Sequence, residues 1–184
     1  MSFRKEEKLH INKSQLLNLL NWIHNNDGYK LYDTRTVSST YFDNDNIQMF
    51  KDSEEGCVPR KKVRIRSYTR EKHKVGQSAL EVKTSSVEGR YKTSDKNFDL
   101  RKTMTIGYFD KDYGICKPIV RINYKRDYYK IHNVRLTVDR YIEYIHSYNY
   151  YTLQDLPHTR THMSLRLCSC LPSTLGFPLT VWTI

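Results

Sequence analysis

A chain of 184 residues is long enough for one domain with a real core, and its formal charge of +11 selects for anionic partners: nucleic acid, anionic lipid, nucleotides or inorganic phosphate chains. Its 15 tyrosines against 7 glycines argue for strands with few special turns and against disorder. Cys57, Cys116, Cys168 and Cys170 form no CxxC pair and have no histidine placed to complete a zinc site, so they read as free thiols. No apolar leader follows Phe3-Arg4-Lys5-Glu6 and no run approaches the length of a membrane span, so the expected setting is cytoplasmic, with no transmembrane segment.

Residues 3–11 alternate with the two-residue period of a strand, Arg4, Glu6, Lys8 and His10 on one face and Phe3, Leu9 and Ile11 on the other. Asn12 and Gln15 have capping-box spacing, and Leu16, Leu17, Leu19, Leu20 and Ile23 then make a helical stripe that should end near Asn25-Asn26-Asp27-Gly28. Residues 36–42 read as a strand closed by the turn chemistry of Asp43-Asn44-Asp45-Asn46, with a short helix after it through Ile47, Met49 and Phe50. Glu54-Glu55-Gly56 reverses the chain.

The next stretch, residues 61–68, places Lys62, Arg64, Arg66 and Tyr68 on one face and Val63 and Ile65 on the other. Side chains two apart on a strand lie about 6.6 Å from each other, a spacing suited to a chain of phosphates, and guanidinium forks match phosphate oxygens. A solvated basic face would look the same on this segment alone. Residues 78–84 repeat the pattern with Leu80 and Val82 opposite Glu81 and Lys83, and Arg90 and Lys92 follow as another alternating pair. Residues 93–117 have no clean period. Residues 119–129 form a long strand with basic residues on both faces, so its inner face stays open. In residues 133–142, Val134, Leu136 and Val138 alternate with Arg135, Thr137 and Asp139. Composition then changes: from Leu156 onward there is neither tyrosine nor acid. The expected division is therefore a domain over 1–151 and an atypical tail over 152–184, a shifted frame or an unstructured extension.

Taken in order, Arg4-x-Glu6-x-Lys8, Tyr41-Phe42-Asp43, Lys62-Val63-Arg64-Ile65-Arg66-Ser67-Tyr68, Glu81-Val82-Lys83, Tyr124-x-Arg126 and Arg135-x-Thr137-x-Asp139 resemble the VTC domain, the polyphosphate polymerase branch of the triphosphate tunnel metalloenzymes. The resemblance implies an α+β, mostly β fold: an antiparallel β-tunnel or barrel with flanking helices, here incomplete at the C-terminus. Amphipathic strands carrying charge where a sandwich would want apolar residues are compatible with a closed sheet of polar interior. It implies transfer of the γ-phosphoryl group of ATP to a polyphosphate chain. Arg64, Arg66, Lys83 and Arg126 would carry the catalytic role, with Lys8, Lys62, Arg90, Lys92 and Arg135 as further phosphate ligands and Arg4 in the wall. The implied cofactor is Mn²⁺ or Mg²⁺ with Glu6 and Glu81 as candidate ligands; the implied partners are ATP and polyphosphate, with inositol phosphate as a candidate regulator.

After Tyr144 the sequence departs from the family, since no glutamate-bearing strand or lysine-bearing closing segment follows. Two alternatives therefore stand beside polymerisation: a triphosphate hydrolase of the same fold, and an inactive truncated tunnel that binds polyphosphate, nucleotide or inositol phosphates. Specific nucleic-acid binding is disfavoured because carboxylates interleave the basic residues along the strands.

Overall fold

The computed structural model describes residues 5–70, 77–146 and 163–169, with side chains over 9–69 and 77–146. Its elements run β1 (Lys5–Ile11), α1 (Lys13–Asn25), β2 (Tyr29–Asp43), α2 (Gln48–Glu54), β3 (Arg60–Arg70), β4 (Ser78–Ser86), β5 (Gly89–Asp95), α3 (Leu100–Ile106), β6 (Tyr108–Asp110), β7 (Gly114–Ile131), β8 (Val134–His146) and β9 (Met163–Ser169). The class is α+β, mostly β and antiparallel, with helices flanking the strands, as the sequence implies. No helix among the described residues is long and apolar enough to cross a membrane. The chain divides into two compact units, and the long strands β2 and β7 contribute to both, parting after Arg35 and after Asn123.

The first unit orders its strands β1-β9-β8-β7-β2. Its core is Ile11, Leu19, Ile23, Ile131, Leu136 and Val138. The capping box forms as the spacing predicts: the Gln15 amide N–H donates to the Asn12 side chain at 2.9 Å, and the Asn12 N–H donates back to the Gln15 side chain at 2.7 Å. At the other end of α1 the Gly28 N–H donates to the Ile23 carbonyl at 2.8 Å. A Cβ on Gly28 would lie 2.6 Å from a side-chain carbon of Ile131, so only glycine lets the chain leave the helix this close to the core. The alternation of β8 is realised: Leu136 and Val138 enter the core, and Thr137 and Asp139 are buried on the opposite face. β9 comes from the compositionally distinct tail and pairs with both β1 and β8, placing Arg166 in register with Lys8 and Thr137, and Cys168 with Glu6 and Arg135.

The second unit orders its strands β7-β2-β3-β4-β5, with β6 on β7. Phe42, Met49, Val63, Ile65, Leu80 and Cys116 form its core, against which Val82, Phe98, Met104, Tyr108 and Tyr113 pack. Residues 93–117 resolve into the end of β5, α3, β6 and the start of β7. Asp99 caps α3 by accepting from the Lys102 N–H at 2.9 Å. Of the two described free cysteines Cys57 is exposed and Cys116 buried. Burial and the nearby Asp43 and Asp110 carboxylates push the Cys116 thiol up to about 11, so it stays protonated and inert at neutral pH.

α2 starts without a side-chain cap from its own flanking residue, Ile47, which is left-handed at φ 49°. Asp43 substitutes for that cap from the end of β2. One carboxylate oxygen accepts from the N–H groups of Asn44 and Met49, both at 2.9 Å, and the other from Phe50, also at 2.9 Å. Asp43→Ala removes all three and is expected to cost about 1–2 kcal/mol, read as a fall in the thermal midpoint; Asp43→Asn, which keeps an acceptor, should recover part of the loss.

Candidate functional site

The register of β3, β4 and β5 decides which charges share a surface. Arg60, Lys62, Arg64 and Arg66 face Ser85, Lys83, Glu81 and Ala79 respectively, and β5 adds Arg90 beside Ser85, Lys92 beside Lys83 and Ser94 beside Glu81. Seven cations and one carboxylate thus occupy one side of three adjacent strands. The other side carries Val63, Ile65 and Leu80 into the apolar core. Lys62, Lys83 and Lys92 form a single row across β3, β4 and β5. Like charges directly opposite on neighbouring strands disfavour the pairing by roughly 0.2–1 kcal/mol per pair, a penalty that a bound polyanion reverses.

The single carboxylate is fully engaged. Glu81, 5% exposed, takes Arg64 on one oxygen, at 2.7 Å from Nε and 2.6 Å from Nη2, and Lys92 on the other at 2.9 Å. Arg64, itself buried, also donates through Nη1 to the Tyr41 hydroxyl at 3.1 Å. Burial raises the Glu81 pKa, but the Lys92 hydrogen bond and the Arg64 charge outweigh it and hold the carboxyl below its ordinary value. Burial likewise works against the Arg64 charge, and Tyr41 and Glu81 restore it, so its pKa lies above the ordinary arginine value. Arg66 is buried next along β3, with its Nε donating to the Ser39 hydroxyl at 2.9 Å and its guanidinium 5.9 Å from the Tyr68 ring centre. Both arginines are therefore held in fixed orientations by β2 and β4 side chains, a preorganisation that suits a fixed array of anionic oxygens.

Arg126 belongs to the first unit and has a different environment. Its Nε and Nη2 donate to the two oxygens of Asp139 at 2.5 and 2.6 Å, and it lies 5.0 Å from the Tyr124 ring centre. Arg126 and Asp139 are 8% and 3% exposed. Burial alone would lower the Arg126 pKa; the hydrogen bonds to Asp139 reverse it, and the group stays charged. Arg135, also in this unit, is exposed. Lys8 and Glu6 lie on β1, with their side chains outside the described set, and Arg4 lies outside the described residues.

Of the sequence-derived candidates, the register thus gathers Arg64, Arg66, Lys83, Glu81, Lys62, Lys92 and Arg90 on one face, and adds Arg60. Ser39 and Tyr41, which orient Arg66 and Arg64, were legible only as alternate positions of a strand. Among the described residues no three His, Cys, Asp or Glu side chains cluster as a metal site, and a cation approaching Glu81 would have to displace Arg64 or Lys92.

An antiparallel α+β domain with a cation-lined strand face is compatible with the triphosphate tunnel fold. The VTC domain family model matches residues 3–174, and the chain belongs to that family. Among the solved structures that match, two share the fold at 13% identity. One, titled a putative adenylate cyclase from Bacillus halodurans, aligns with a TM-score of 0.57 over 91% of this chain and 81% of its own; the other, titled a putative adenylate cyclase from Vibrio parahaemolyticus, aligns at 0.51 over 94% and 78%. No curated protein matches the chain in sequence.

Two outcomes follow from these ion pairs. Glu81 favours its ionised form in the folded state, so it adds stability above the ordinary glutamate pKa of 4.5 and loses it as pH falls through the lower folded value. Glu81→Gln should flatten that part of the acid-unfolding profile. Arg126→Ala, which strands the buried Asp139 charge, is expected to cost about 3–5 kcal/mol at neutral pH by denaturant titration, and the double variant Arg126→Leu with Asp139→Leu should recover most of it.

Proposed function

We propose that the protein is a polyphosphate polymerase, which transfers the γ-phosphoryl group of ATP to the end of a polyphosphate chain held along the β3–β5 face. The observation that carries this reading is the Lys62, Lys83 and Lys92 row beside the buried Arg64 and Arg66, with Glu81 as the one interleaved carboxylate. Such a surface asks for a ligand with many closely spaced negative charges. A terminal phosphate oxygen of the chain attacks the γ-phosphorus, a new P–O–P link forms, and ADP leaves with the electrons of the broken bond. That nucleophile is already anionic, so no strong general base is required. Arg64 and Arg66, held by Glu81, Tyr41 and Ser39, neutralise charge on the transferring group, and the lysine row grips the polymer. Lys8, Arg90, Arg126 and Arg135 are further candidates by family resemblance. The first unit's Asp139 already holds two donors of Arg126, which favours an orienting role for that arginine.

Tunnel hydrolases resemble this chain but open with Glu-x-Glu-x-Lys, whereas here Arg4 takes the first position, exchanging a carboxylate for a cation. The expected result with ATP and added Mn²⁺ or Mg²⁺ is long polymer on a gel, reduced about a hundredfold or more in the Arg64→Ala, Arg66→Ala double variant. Orthophosphate without polymer would assign the hydrolase instead. Tight polyphosphate binding without turnover would assign the binding module, and single-stranded RNA displacing polyphosphate at fixed salt would count against all three.

A further inference from the structure

α3 and the β6–β7 pair expose three large apolar side chains next to one another in the second unit: Ile106 at 60%, Phe109 at 72% and Ile115 at 56%. Phe109 and Ile115 are directly opposed in the strand register, so they rise from the same face, while the alternate residues Asp110 and Cys116 are buried. Gly107 closes the gap between helix and hairpin: a Cβ there would lie 3.2 Å from a methyl carbon of Ile115, which brings the end of α3 against that residue. Scattered exposed apolar residues are ordinary, but three adjoining ones that protrude this far are not.

Charge around the trio is sorted. Every carboxylate of α3 and the hairpin is occupied: Asp99 caps α3, Asp110 takes Lys61 at 2.9 Å, and Asp112 takes the same lysine at 2.6 Å. The exposed cations Arg101, Lys102 and Lys111 remain at the surface, and Lys102 lies one turn before Ile106 on the outward side of α3. Lys117, two residues beyond Ile115, is exposed and pairs only with the exposed Asp45 among the ion pairs described.

We infer that this patch is an interfacial anchor for an anionic lipid bilayer. Ile106, Phe109 and Ile115 enter the acyl boundary, and Arg101, Lys102 and Lys111 meet headgroup phosphates. Two features select this occupant. The apolar side chains protrude, which suits insertion of roughly 5–10 Å into a headgroup layer. The rim carries more exposed cations than free acids, Arg101, Lys102 and Lys111 against the helix-capping Asp99, with the exposed Asp112 paired to Lys61, which complements an anionic surface and repels a second copy of this +11 chain.

The test is flotation of the full chain with phosphatidylcholine vesicles containing or lacking phosphatidylserine. Co-flotation with the anionic vesicles is expected, weakened by added salt and weak on neutral ones. Phe109→Ser with Ile115→Ser should lower the partition coefficient about tenfold or more, and Lys102→Glu with Lys111→Glu should lower it and flatten its salt dependence. Both pairs are exposed and should leave the thermal midpoint and phosphotransfer unchanged. The Arg64→Ala, Arg66→Ala variant should float like the unmodified chain, which separates this surface from the phosphate face. The inference is overturned if the chain fails to float with anionic vesicles, or floats equally after the Phe109 and Ile115 changes. It is overturned too if those changes instead dissolve a dimer seen by size exclusion, or abolish only the capture of an acidic protein.

Discussion

Two arginines buried beside one carboxylate set the terms for the second unit. Arg64 and Arg66 are 7% and 8% exposed, yet Glu81 is the only acid on their face of β3–β5, and Lys92 claims its second oxygen. Buried ion pairs contribute little net stability, because desolvation cancels most of the attraction. The opposite face must therefore hold the strands together. Val63, Ile65 and Leu80 do so by packing on Phe42, Met49 and Cys116, and the helix that carries Met49 is itself anchored by Asp43. The charged face exists because the apolar face supports it.

The two engaged arginines differ in what they have left to offer. Arg126 spends two donors on both oxygens of a private carboxylate, so its charge is locally cancelled. Arg64 shares its carboxylate with Lys92 and borrows a neutral tyrosine hydroxyl, so the cluster keeps a net positive charge. Both stay ionised at any physiological pH. Among the described residues only the second arrangement keeps a surplus of positive charge, which is why the phosphate reading rests on β3–β5 rather than on β7–β8.

Much of this was legible in the sequence, because period-two and period-3.6 patterns are local. The alternation of residues 61–68 and 133–142, the Asn12 and Gln15 cap, and the faces of Arg64, Arg66 and Glu81 all follow from spacing. What was not legible depends on pairing between distant segments. No local pattern aligns Lys62, Lys83 and Lys92 in one row, because strand register is fixed by turns and packing. Nothing local says that Asp43 reaches forward to cap α2 or that Arg126 closes on Asp139. Residues 93–117 hid their strands because β6 is three residues long and Asp110 is buried against Lys61, which breaks the usual rule that acids face solvent. β9 hid behind a change of composition, since its pairing with β1 and β8 is a property of the backbone.

β3 is buried on both sides, apolar residues one way and arginines the other, and this restricts how its gene segment can change length. Deleting or inserting a single codon within the strand would exchange the two sides beyond that point, turning guanidinium groups toward Phe42 and Met49 and valine toward Glu81. A change of two codons would restore both sides and move the arginines by one strand repeat. Length variation tolerated here should therefore come in even steps, each shifting the arginines by about 6.6 Å along the strand.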